Sequence, residues 1–362
     1  MTYLRITQLE TFAPMEQQLN IRQLLKEMMG QANIGVLDII KYSKHVCKRD
    51  ISFGKQVKLP QNFKTYVFLA AQMANYRCLP MIMKPLNYIN MIIGSTLDQM
   101  DFKSNYLSMT TQKSTLQYLY QTSKYGYSAD NLVYFSIQQS NTTMYLPYFF
   151  VFKQQNGSLL IIIRGTVTKA DMLTDLDAQI FQLNYKEQSH YFHNGFYQTA
   201  FNLITQLKKI GCSLENAEFV GHSMGDAIAT ICVLLLKIEG FEAKGMAFSP
   251  PPSCYLTTCE CLEQNLKTYI IEQDPVPELS VYAVRNMIDR IGSIKAKVTK
   301  QIKATRDLSS ITNQDLFVAG KLFISNKGKW FEVDRHEFSQ LSLNINSLLD
   351  HLSVKYVLDY CE

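Results

Sequence analysis

Apolar positions divide the chain into two regimes. From residue 1 to about 130 they recur at spacings of three and four, with Ile21, Leu24, Leu25 and Met28 on one face and Phe68, Leu69, Met73 and Tyr76 on another. That period predicts helices, and Pro60, Pro80 and Pro85 punctuate them. From Pro147 the period changes. Tyr148-Phe149-Phe150-Val151-Phe152 and Leu159-Leu160-Ile161-Ile162-Ile163 are short continuous apolar runs around a Gln155-Asn156-Gly157 turn. Two such runs about Asn-Gly predict a hairpin leading into a central strand. Further strands are predicted over 217–220, 245–249 and 268–272, with helices over 201–210 and 227–238 between them. Strands alternating with helices predict a parallel sheet with crossover connections. The runs 316–324 and 330–333, about an Asn326-Lys327-Gly328 turn, add two strands near the end.

The chemistry concentrates in Gly221-His222-Ser223-Met224-Gly225, a G-x-S-x-G segment with a predicted strand before it and a predicted helix from Asp226 after it. A tight strand-to-helix turn forces its serine out above the sheet, as in the nucleophile elbow of α/β-hydrolases. The glycines permit close backbone approach. The helix start offers unpaired N–H groups where negative charge develops. Ser223 is therefore the candidate nucleophile.

A serine needs a base, and the base an orienting acid. In that fold they follow the serine in the order acid, then histidine. His336 and His351 are the histidines downstream. His351, in Leu349-Asp350-His351-Leu352, is the preferred base, because His336 follows the charged pair Asp334-Arg335 and reads as solvated. Asp274, in Gln273-Asp274-Pro275-Val276-Pro277 directly after a strand, is the preferred acid, since ends of parallel strands carry functional groups. Glu272 and Glu278 are the alternatives. The backbone N–H of Met224 is one expected oxyanion donor. Thr166 is the second, in Arg164-Gly165-Thr166 at the end of the central run.

Together these pieces resemble the class 3 lipase family, and within it the sn-1-specific diacylglycerol lipases. The resemblance covers roughly residues 115 to 361. It runs from Tyr125-Gly126-Tyr127 through Ile163-Arg164-Gly165-Thr166 and Asp171-Met172-Leu173-Thr174-Asp175-Leu176 to His193-Asn194-Gly195-Phe196. The elbow, Ala247-Phe248-Ser249-Pro250-Pro251, Asp274-Pro275-Val276-Pro277 and Asp350-His351 follow in order. The resemblance implies an α/β-hydrolase fold with a central, mostly parallel sheet, and the helical period of the first third places a mainly helical N-terminal region before it. It implies a boundary between residues 1–114 and 115–362, a Ser223–His351–Asp274 triad, Thr166 and Met224 as oxyanion donors, and a lipid ester as substrate. It also implies supporting roles for Arg164, Thr174 and Asp175. Asp226 departs from the family's usual Gly or Ala and puts a carboxyl beside the nucleophile. Glu278 stands where the family commonly has a basic residue.

Composition narrows the setting. Of 362 residues 47% are hydrophobic, enough for a large core, and the net charge of +5 is too mild to argue for nucleic acid. Cys254, Cys259 and Cys261 cluster without a CxxC pair or adjacent histidine, so they read as loop thiols; Cys232 reads as a reduced core residue, and Cys47, Cys78, Cys212 and Cys361 are scattered. No phosphate loop, dinucleotide fingerprint or HExxH helix is present, so no cofactor is expected. The N-terminus has no apolar leader and no run reaches the roughly 18 apolar residues a spanning helix needs, the nearest being 81–93. The sequence thus predicts an intracellular protein, cytoplasmic or peripheral to a membrane, neither secreted nor transmembrane. Residues 281–303 set Val284, Met287, Ile288, Ile291, Ile294, Val298 and Ile302 at helical spacing among Arg285, Arg290, Lys295, Lys297, Lys300 and Lys303. Such a basic amphipathic helix suits either a membrane interface or packing on the sheet with a solvated basic face. A second reading, motivated by Asp226 and the helical N-terminal third, is an inactive hydrolase fold that serves as a scaffold, its N-terminal helices docking a protein partner.

Overall fold

The computed structural model describes residues 21–35, 37–39, 41–42, 51–75, 107–136, 145–166, 171, 174–175, 177–185, 187–298, 315–338, 341, 347, 350–352 and 355–357. The expectations for Tyr76, residues 81–93, the 299–303 end of the amphipathic segment, and Cys47, Cys78 and Cys361 lie outside the described residues.

Among the described residues the runs read as strands, joined by β1 (Gln56–Val57) and β2 (Leu132–Phe135), which were not expected, form one sheet of nine, ordered β1-β11-β10-β9-β8-β7-β4-β3-β2. Its centre is β4 (Leu159–Ile163), β7 (Ala217–His222), β8 (Ala243–Phe248), β9 (Leu266–Ile270) and β10 (Lys321–Asn326), all mutually parallel. Antiparallel strands close both edges: β2 (Leu132–Phe135) and β3 (Phe149–Lys153) beside β4, β11 (Lys329–Glu332) and the short β1 (Gln56–Val57) beside β10. The predicted hairpin is the β3–β4 pair, with Phe149 opposite Ile163. This topology, with helices on both faces, is an α/β-hydrolase architecture.

The continuous apolar runs have a physical reason. Both faces of β4 are covered, so all five of its residues are buried. Leu159, Ile161 and Ile163 face α4 (Asn194–Lys209) and α5 (Met224–Ile238). Leu160 and Ile162 face the opposite layer, which includes Phe63, Val67, Leu69 and Met73 of α2 (Phe63–Asn75) and Tyr118 of α3 (Leu107–Ser123). The sheet and its covering layer thus incorporate β1 and α2 from the first 114 residues.

Three departures from the sequence reading have local causes. α4 starts at Asn194 rather than 201, because His193 caps it by accepting from the Phe196 N–H at 3.4 Å. The run 316–324 is a strand only from Lys321, because Gly320 takes φ +84° and turns the chain. A separate antiparallel pair, β5 (Ile180–Tyr185) and β6 (Gln188–His193), was not expected.

After the short α6 (Leu256–Glu260), the basic amphipathic segment forms α7 (Val281–Val298). Its apolar face is covered: Ala283, Met287, Ile288 and Ile291 are buried with Met28, Ile34, Tyr42 and Leu341. Met28 lies on α1 (Ile21–Gln31). Lys295 is tied to the same segment, 2.8 Å from the Asp38 carboxylate and 2.8 Å from the Asn33 carbonyl. Of the two roles open to this helix, packing accounts for those four buried apolar positions. No helix among the described residues is long and apolar enough to cross a membrane.

Candidate active site

The site is built on the C-terminal ends of β4, β7, β8 and β9. β7 ends at His222, and α5 begins at Met224. Ser223 alone makes the turn, at φ 58° and ψ −130°. That left-handed backbone is costly for a non-glycine residue. It holds because the surroundings leave no alternative. A Cβ on Gly221 would come 2.7 Å from the Gly225 carbonyl carbon, and one on Gly225 would overlap the Ile163 carbonyl. The two glycines let strand, turn and helix meet without side chains between them.

His351 arrives from 128 residues downstream and places Nε2 3.0 Å from Ser223 Oγ. Its Nδ1 lies 2.9 Å from Asp274 Oδ2 and 3.1 Å from Oδ1. Asp274 is fully buried in the loop after β9, where Oδ1 also accepts the Val276 N–H at 2.9 Å. Burial alone would raise its carboxyl pKa. The His351 charge and hydrogen bond, the Ser249 hydroxyl and the Val276 N–H outweigh it and hold the group below its ordinary range. The structure therefore brings Ser223, His351 and Asp274 into one hydrogen-bonded run. The alternatives lie elsewhere: His336 is exposed with its ring edge against Phe317, and the Glu278 side chain is buried in the turn after Pro275.

The loop carrying His351 is tethered twice. Asp350 Oδ2 accepts the Gln273 N–H at 3.1 Å, and His222 Nε2 lies 2.9 Å from the His351 carbonyl oxygen. A carbonyl only accepts, so the His222 proton sits on Nε2. Burial, aided by the neighbouring His351, lowers the His222 pKa to about 3, which keeps its ring neutral. The x of G-x-S thus holds the His351 backbone. The sequence reading assigned His222 no role, although its place inside the elbow was a signal.

Thr166 stands against the elbow. A Cβ on Gly165 would approach the His222 carbonyl oxygen to 2.7 Å and Ser223 Cβ to 3.4 Å, so only glycine lets this loop reach the nucleophile. Met224 opens α5, where N–H groups lack helical acceptors. Behind Thr166, Asp175 Oδ2 lies 2.7 Å from Thr166 Oγ1. His193 Nε2 lies 3.1 Å from the Asp175 carbonyl oxygen, so this ring braces the loop while it caps α4. Burial pushes the His193 pKa down to about 4. Arg164, itself buried, pairs with Asp171 at 2.7 Å and stacks 4.0 Å over the Tyr148 ring centroid.

Asp175 carries a pH consequence. Burial raises its pKa to about 8, and Oδ1 has no hydrogen-bond partner among the described residues. The Thr166 hydroxyl donates to Asp175 Oδ2, and below about pH 8 the acid it meets is neutral. Above about pH 8 a carboxylate stands directly behind Thr166 and opposes negative charge developing at the site. Ester turnover is expected to fall about tenfold on the alkaline side of pH 8 through this like-charge repulsion. Asp175→Asn, neutral at every pH, should abolish that limb in a kcat–pH profile. Stability follows the same sign. The native state binds a proton that the unfolded chain releases near pH 4, so this group's contribution becomes less favourable as pH rises from about 4 to 8.

Asp226 corrects the sequence reading. Its carboxyl does not project toward the nucleophile. It is fully buried and accepts the backbone N–H groups of Phe248 and Gly221. Burial raises its pKa well above the ordinary value. It ties the ends of β7 and β8 beneath the elbow, because the first turn of α5 directs that position back onto the sheet. Next to the exposed His336, Arg335 is buried, paired with Glu263 and donating to the Val318 carbonyl at 3.0 Å. Cys254 and Cys259 are buried free thiols, and no group of metal ligands occurs among the described residues.

The family model for class 3 lipases matches residues 160–284, from the central strand through the Asp274 loop into α7. The chain carries a class 3 lipase segment. The chain is also similar to a curated relative, diacylglycerol lipase-beta of Mus musculus, with 26% identity over 166 residues. Those residues are 43% of this chain and span a quarter (25%) of that relative's length. Among solved structures, the Rhizomucor miehei triacylglyceride lipase is similar at 16% identity and a TM-score of 0.41, over 82% of this chain and 94% of that one. Lipase II of Rhizopus niveus is similar at 16% identity and a TM-score of 0.44, over 81% and 92%.

Proposed function

We propose that this protein is a serine hydrolase that cleaves lipid esters of the diacylglycerol or triacylglycerol type through an acyl-enzyme. The observation that carries this reading is the unbroken run from Ser223 Oγ through His351 to Asp274, at 3.0 and 2.9 Å. His351 Nε2 takes the Ser223 proton as Oγ attacks the ester carbonyl. The Met224 and Thr166 N–H groups hold the oxyanion. The imidazolium gives its proton to the departing alcohol, and water then releases the acid by the same two proton transfers. Asp274 keeps Nδ1 protonated and compensates the charge that forms on the ring. No step requires a metal or an organic cofactor.

The lipid character of the substrate rests on the class 3 lipase match and on the diacylglycerol lipase relative. We assign the activity to residues 115–362, with α2 packed on the sheet as part of its covering layer. The scaffold reading rested on Asp226 and on the helical N-terminal third; the inward course of Asp226 weighs against the first motive, and fluorophosphonate labelling separates the two readings. The test is a fluorophosphonate probe on the full chain, with the labelled peptide identified, beside turnover of a long-chain diacylglycerol and of p-nitrophenyl butyrate. Labelling at Ser223 with preference for the diacylglycerol is expected. A folded chain that neither labels nor hydrolyses either ester would overturn the reading.

A further inference from the structure

Behind the candidate acid lies a pair of hydroxyls that the reaction as described does not use. Ser249 follows the end of β8, fully buried, with its hydroxyl hydrogen-bonded to the Asp274 carboxylate. Ser249 Oγ also lies 2.5 Å from the hydroxyl of Tyr356, which is 1% exposed and five residues beyond His351. The Tyr356 hydroxyl stands in turn 3.0 Å from the Tyr269 carbonyl oxygen.

Each hydroxyl has one proton to give. Asp274 is an acceptor only, so Ser249 gives its proton to Asp274. The Tyr269 carbonyl also only accepts; it takes the Ser249 N–H at 2.9 Å on one lone pair and the Tyr356 O–H on the other. Tyr356 shares that proton with Ser249 Oγ, a three-centre bond that anchors the serine hydroxyl. Two further observations point to use rather than mere burial. Ser249 holds φ +53°, a conformation that glycine adopts without strain and serine does not, so the backbone is strained to keep a hydroxyl there. Tyr356 is also seated edge-on against His222, with ring centroids 6.1 Å apart, and His222 is the residue that tethers the base.

We propose that Tyr356 and Ser249 form a hydroxyl relay that positions Asp274, fixing the plane of its carboxylate toward His351 Nδ1. The relay rests on the hydrolase reading and deepens it. Tyr356 and Ser249 are positioning residues; neither faces the substrate. The titratable groups around them are Asp274, His351 and His222 above and Asp226 beneath Tyr356. Burial keeps His222 neutral and favours the protonated form of Asp226, so Asp274 is the anion that the relay serves.

The test compares Tyr356→Phe, Ser249→Ala, Ser249→Gly and the double variant Ser249→Gly with Tyr356→Phe. The assays are p-nitrophenyl butyrate turnover across pH, fluorophosphonate labelling and thermal unfolding. Each single variant should lose about tenfold in kcat with KM nearly unchanged, as expected when an interaction serves the transition state. The double variant should be no slower than the singles, because one relay is broken only once. With one donor fewer, Asp274 concentrates its charge toward the imidazole, and the acid limb of the kcat/KM profile should move to higher pH. Ser249→Gly is the guard against a folding defect. It relieves the strained backbone, so it should be slower while unfolding no earlier than the unmodified chain. If that chain labels and turns over ester but the variants match its kcat and pH profile, the relay is refuted while the hydrolase reading stands. If the unmodified chain neither labels nor turns over ester, both fall together.

Discussion

Ser223→Ala is expected to lower ester turnover by roughly 10⁴- to 10⁶-fold and to abolish fluorophosphonate labelling, the loss typical when a triad nucleophile is removed. Among the described residues no neighbouring hydroxyl can take over. The Thr166 hydroxyl is engaged with Asp175, and the Ser249 hydroxyl is buried behind the acid. The residual rate comes from the oxyanion donors and substrate positioning, which the substitution leaves in place. KM should change little. Alanine keeps the same strained positive φ at this turn and removes only the hydroxyl, so the thermal midpoint should hold. Equal turnover by the variant and the unmodified chain would mean that another group performs the attack.

Asp274→Asn should be nearly as severe, about 10⁴-fold in kcat, through the tautomer of the histidine. The surroundings dictate which way the amide sits. The Val276 N–H faces Oδ1 at 2.9 Å and demands an acceptor, so the asparagine oxygen takes that place. The NH₂ is then left facing His351 Nδ1. A donor at that point forces the ring proton onto Nε2, the nitrogen that must be empty to receive the Ser223 proton. The variant should fold, because the amide is close in volume to the carboxylate it replaces, yet it should label at a rate close to that of Ser223→Ala. Nearly normal labelling by Asp274→Asn would show that the imidazole needs no anionic partner and would remove Asp274 from the triad.

The site was legible in the sequence to the extent that its parts are local. A glycine-flanked serine between an apolar run and a helix, an aspartate directly after a strand, and Arg-Gly-Thr at a strand end are patterns within a few residues. Their geometry follows from the turn types those residues permit. Partners set by long-range packing were not legible. The Ser249–Tyr356 contact joins positions 107 residues apart, and neither residue is distinctive on its own. The direction of Asp226 depends on where the first turn of α5 meets the ends of β7 and β8, which a one-dimensional pattern does not carry. For α7 the period gave the helix and its apolar face correctly, but the cover for that face comes from residues 28–42, more than 240 positions earlier. The β5–β6 pair carried a weak period-two signal, with Phe181 and Leu183 buried between more exposed neighbours. The short polar loop between its strands gave no strong turn cue.

The wide spacing between nucleophile and base has a consequence during synthesis. The first four parallel strands, β4 and β7 to β9, are all made before residue 271, and the elbow with them. On the proposed mechanism the imidazole that would activate Ser223 is then still 80 residues from being made. A nascent chain that stops short of His351 is expected to hydrolyse no ester, and competence would begin when the His351 loop is pinned by His222 and Gln273.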